Sequence, residues 1–167
     1  MSLLEIAKAV EASQMAMDMR ESLYWFPGLI FTHVCGLLIA AGTVIFWDLR
    51  LLGFGLRHAR VSRVAETLLP WVWVGFGVLI ISGSLLIWME AGRLYHNVFF
   101  RIKAMARVLA GINALLFHFG AYRSVAEWES QRSVPLRVRL AGAFSLLLWF
   151  VILASGRAIG YTLNYGA

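Results

Sequence analysis

SLYWFPGLIFTHVCGLLIAAGTVIFW, Ser22 to Trp47, is a run of 26 residues without a charged side chain. A helix rises about 1.5 Å per residue and bilayer hydrocarbon is about 30 Å thick, so roughly 20 apolar residues suffice to cross it. The stretch reads as a membrane span, with His33 inside it. An ionisable group at that depth is costly, and such groups commonly mark function.

Three further stretches join it: Thr67 to Met89 is uncharged over 23 residues, Leu140 to Gly156 over 17 and Val108 to Tyr122 over 15. The last is long enough to span once Lys103 and Arg107 snorkel toward a headgroup layer. With 60% hydrophobic and 14% charged residues and a mean hydropathy of +0.75, the 167-residue chain predicts an integral membrane protein. The expected fold is all-α: one membrane domain over 1–167, a four-helix bundle with spans at 24–47, 67–90, 101–122 and 138–161. An amphipathic interfacial helix is expected over 2–19. Ser2 and Glu5 fit a capping box there, and Leu3, Ile6, Val10 and Met17 recur at helical spacing. Pro27 and Pro70 are each read as opening a span, and no removable signal peptide is expected.

The net charge of +6 does not point to nucleic acid, because the cations are scattered at helix ends. Arg50, Arg57, Arg60 and Arg63 follow the first span, and Arg123, Arg132, Arg137 and Arg139 precede the fourth. By the positive-inside rule both termini are expected outside, which in a bacterial inner membrane is the periplasm. Cys35 is the one cysteine, so no internal disulfide forms. No grouped nucleophile, base and carboxylate suggests a hydrolase, and no glycine loop suits phosphate.

Small residues show where helices can touch: Gly36 and Ala40, Gly75 and Gly83, Gly111 and Ala114, Gly156 and Gly160. His33 lies roughly 12 Å below the outer edge, and His118, near the inner end of the third span, lies about 10 to 15 Å deeper. The two are not expected to bind opposite faces of one haem iron. His96 falls in the outer connection and His58 in the inner one. The four histidines thus suggest His33 with His96 and His118 with His58, as one or two stacked b-type haems would need. Other readings stay open: hydrogen bonding across the bundle with Asn113 or Thr32, and proton relay. Lys103, Arg107 and Arg157 gather near the depth of His33, suited to haem propionates, an anionic quinone or a lipid headgroup. Met15, Met17 and Met19 offer soft thioethers for copper, though a regular helix scatters them; packing an interfacial helix is the plainer reading.

Tyr24 to Gly53, Asn97 to Lys103 running on to Asn113 and Phe117-His118, and Ser155 to Tyr161 resemble a bacterial family of small four-span membrane proteins of uncharacterised function. Lys103 to Asn113 is more distantly similar to the membrane domain of the copper-resistance D family, and the whole plan to four-helix b-type cytochromes. In that resemblance His33, Asp48, Arg50, Lys103, Asn113, His118 and Arg157 are the matching polar positions; His58 and His96 are not among them. The expected function is electron transfer by a haem-bearing subunit, a carrier rather than a complete enzyme, exchanging electrons with quinone or a periplasmic redox protein. Copper handling is one alternative. A cofactor-free anchor or assembly subunit of a larger redox complex, or a homo-oligomer, is another.

Overall fold

The computed structural model describes residues 2–54, 60–129 and 134–165, and the side chains of these up to Leu163. Among the described residues there are helices and no strands. The capping box forms: Glu5 N–H donates to Ser2 Oγ (3.3 Å) and Ser2 N–H to Glu5 Oε2 (2.7 Å). It starts α1 (Leu3–Glu11), whose Leu3, Ile6 and Val10 are exposed. The single amphipathic helix expected over 2–19 is two. Ser13 turns its hydroxyl back onto Val10 O (2.8 Å), its backbone is extended, and α2 (Gln14–Glu21) starts anew.

The four long helices are α3 (Trp25–Leu52), α4 (Val61–Met89), α6 (Val98–Phe119) and α8 (Leu136–Tyr165). A short α5 (Ala91–His96) joins α4 to α6, and a 3-10 turn (Ala121–Ser124) leads into α7 (Val125–Trp128). Gly53, at φ +84°, ends α3 in the left-handed conformation that a residue without Cβ adopts freely. Pro70 lies inside α4 and does not open it. Arg63 and Glu66 occupy the earlier turns, so the helix outruns the uncharged stretch, and the bond lost at proline is tolerated in a bundle.

Only 11% to 33% of each span's most apolar stretch is buried inside the protein. Leu38, Phe46, Ile80, Ile81, Met105, Leu116 and Phe150 all face outward. Helices apolar on every side and this exposed belong in lipid. The chain is a multi-pass membrane protein whose four spans contact a bilayer.

Two hairpins make the bundle. In the first, α3 lies against α4, and a Cβ on Gly75 would sit 2.6 Å from Ala40 N, so only glycine permits this approach. In the second, α6 lies against α8, and Asn113 Nδ2 donates to Ala141 O (3.1 Å). The hairpins meet along α3 and α8, while α4 and α6 do not pack on each other. Ala40, Ala41, Ala106, Leu148, Trp149 and Ile152 form the central core, and Leu51, Val61, Ala121, Trp128 and Val138 a second at the α7 end. At the other end Glu11 takes Gly92 N–H (2.7 Å) and Arg20 (3.1 Å), latching α1 and α2 to α5.

At the α7 end Glu129 accepts from Ser62 N–H (3.1 Å) and Ser62 Oγ (2.8 Å). Those bonds, the backbone one first, hold its carboxyl below the usual carboxylate range. A carboxyl whose folded value is depressed adds stability above its unfolded value and loses it as pH falls through the folded one. Acid is therefore expected to undock α7 from Ser62, seen as falling hydrogen-exchange protection at Ser62, and Glu129→Gln is expected to remove that acid dependence. For the first hairpin, Gly75→Ala is expected to destabilise by about 2 kcal/mol, the cost of overpacking against backbone. Gly77→Ala, with nothing within 4 Å of its Cβ, is expected to be tolerated. Denaturant unfolding in detergent compares the two.

Candidate functional site

The antiparallel register of α3 and α4, set where Gly36 meets Val78 and Gly75 meets Ala40, brings His33 opposite Ser82 and Gly83. His33 Nδ1 lies 2.9 Å from Ser82 Oγ. Ser82, 1% exposed, donates its one hydroxyl proton to Val78 O at 2.5 Å. With that proton spent, Ser82 can only accept from the ring, so Nδ1 carries the imidazole hydrogen and Nε2 an open lone pair. Gly83 makes room: a Cβ there would lie 3.2 Å from His33 Cε1. A half-buried imidazole held by one nitrogen, with the other left as a base or ligand, is how metal-binding histidines are oriented.

Lys103 and Arg107 stand one turn apart on α6, Lys103 half-buried and Arg107 exposed. Lys103 rests on Gly156 of α8, its Nζ 3.0 Å from where a Cβ would be. Among the described residues no carboxylate pairs with either cation. Arg157 is placed elsewhere. Its guanidinium bonds Tyr161 Oη (2.9 Å) and lies 4.5 Å over that ring.

The other candidates do not join this group. His118 is exposed and stacked on Tyr122, ring centroids 5.8 Å apart, so the side of α6 it shares with Arg107, Gly111 and Ala114 points outward. Gly111 has nothing within 4 Å, nor has Gly160, so neither expected small-residue contact forms. His96 is exposed beside Tyr95 (5.1 Å) and lines a shallow depression with Arg93, Asn97 and Thr162. No contact between His33 and His96 is present among the described residues. His58 lies outside the described residues, and Asn113 is engaged with Ala141. Met15, Met17 and Met19 sit on the regular helix α2, which leaves Met17 on the side away from the other two. Among the described residues no three His, Cys, Asp or Glu side chains cluster as a metal site would.

Sequence reading missed Ser82. Its signal was the polar, small run Ser82-Gly83-Ser84 at the depth of His33 in an antiparallel neighbour. Asp48, a matching polar position of the resemblance, is buried at 3% exposure against α8.

Residues 23–162 match the model of a protein family described as a family of unknown function, DUF6644. The chain belongs to that family. The match runs from the residue before Tyr24, through all four spans, to Thr162, so the site at His33, Ser82 and Lys103 lies wholly within it. No curated protein and no solved structure matches the chain, so neither the copper-resistance D nor the cytochrome likeness has support there.

The assigned tautomer has its own test. Nitrogen NMR of ¹⁵N-histidine-labelled protein is expected to show His33 protonated at Nδ1 and bare at Nε2. Ser82→Ala is expected to shift it toward the Nε2–H form; finding that form already in the wild type would reject the assignment.

Proposed function

We propose that this chain is an electron-transfer subunit of the bacterial inner membrane, carrying one b-type haem on His33, with both termini on the periplasmic side. The observation that carries the reading is the open Nε2 of His33, aimed by the bond from Nδ1 to Ser82. A histidine so held supplies an axial nitrogen, and the acceptor on its far nitrogen raises its basicity. Lys103, lacking a carboxylate partner among the described residues, is suited to carry the haem's propionate charge.

The haem, when bound, supplies one-electron exchange; the chain's own residues position it. Ser82 fixes the ring's rotation, Gly83 leaves space at its edge, and Gly156 lets Lys103 lie flat on α8. A single centre is favoured over two, because His118 turns away from the bundle interior. The chain is thereby a carrier and not a complete enzyme. Quinol or a periplasmic redox protein would exchange electrons with it, near the end that bears α1, α2 and α5.

Protein purified from haem-replete cells is expected to give a b-type pyridine haemochrome spectrum at one haem per chain. Replacing His33 with Ala is expected to abolish it while the protein still inserts. Lys103→Gln is expected to weaken haem retention several-fold, as loss of one charge-assisted contact does. Haem-free wild type that co-purifies with other subunits would instead favour an anchoring role, and stoichiometric copper a metal-handling one.

A further inference from the structure

About 22 Å from His33, fifteen residues further along α3, the bundle holds a carboxyl that the redox reading does not use. Asp48 lies where α3 crosses α8. Gly142 makes that crossing possible, since a Cβ on it would lie 3.2 Å from Asp48 O and 3.3 Å from Leu51 Cβ. Ser145, one turn further along α8, is buried beside the carboxyl. One of its oxygens, Oδ2, is buried and has no hydrogen-bond partner among the described residues.

Among the described residues no cation compensates it. Arg50, two residues on, leaves α3 on the opposite side. Arg139 in the first turn of α8, Arg63 and Glu66 in the first turns of α4 and Arg123 beyond α6 are all exposed. Among the described residues none of them, and no other charged side chain, forms an ion pair with Asp48. Tyr122 and His118, the titratable groups at that end of α6, are occupied with each other's rings.

Two states of such a group differ in kind. As an anion it would hold a full charge, with no counter-ion among the described residues, inside a lipid-embedded bundle, where burying an unpaired charge is very costly. As the acid it leaves one hydrogen-bonding position unmet, a far smaller penalty. We propose that Asp48 is a proton-binding site, a carboxylic acid kept neutral between α3 and α8 beside Ser145. Its ligand is the proton. The site is independent of whether His33 holds haem.

The chain has two aspartates, Asp18 and Asp48. Asp18 is exposed on α2, where Gln14 donates to it at 2.8 Å, and serves as the internal reference for an ionised group. Infrared spectra of protein labelled with ¹³C in the aspartate side-chain carboxyl, in lipid vesicles at neutral pH, separate the two. The expected result is one ionised carboxylate and one protonated carboxyl whose C=O band shifts in D₂O. Asp48→Asn is expected to remove the protonated band alone. Two ionised carboxylates in the wild type overturn the proposal, and a Na⁺-dependent shift of one of them would assign the site to a metal cation instead. The wild-type spectrum decides the matter even where the variant fails to insert.

Discussion

The contact between Gly75 and the backbone of Ala40 sets everything else in the first hairpin. In lipid there is little hydrophobic drive to pair helices, so close van der Waals approach has to hold them, and only small residues allow it. Two such approaches, Gly75 on Ala40 and Gly36 on Val78, leave α3 and α4 one register. In that register His33 reaches Ser82, and a single hydroxyl proton decides which imidazole nitrogen stays open. The chemistry of the site is thus a by-product of backbone proximity two turns away.

Polar groups inside the bundle are few and sorted by position. His33, Ser82 and Lys103 occupy the half nearer α1 and α5, and Asp48 and Ser145 the half nearer α7. Two of these side chains meet a glycine of a neighbouring helix, His33 on Gly83 and Lys103 on Gly156, and the backbone of Asp48 meets Gly142. The pairing has a simple cause. A polar side chain that must stay within the protein needs space against another backbone, and glycine is what provides it.

The spans were legible because an uncharged run longer than a bilayer's thickness admits few other readings. Their ends were not: Arg63 and Glu66 sit on α4 as ordinary exposed helical residues, and charge alone does not separate a helix leaving the membrane from a loop. Gly36, Ala40, Gly75 and Gly83 were readable as contact points, whereas Gly111 was misleading. A small residue shows where a helix can approach, and the rotation of α6, fixed by its packing on α8, decides whether one does. The same rotation turned His118 outward. The bond from His33 to Ser82 joins residues 49 apart, so it could be read only with the register of two helices in hand.

Because α4 and α6 never pack together, the two halves of the His33 site arrive on separate hairpins, imidazole and hydroxyl on one, Lys103 on the other. The first can enter the membrane complete before the second is made. Anything bound between them would then act as a clasp, drawing together units otherwise joined along α3 and α8 and where α7 docks on α4, and shifting the balance toward the closed pair by mass action. Were a ligand held there, loading the site and finishing the fold would be one event.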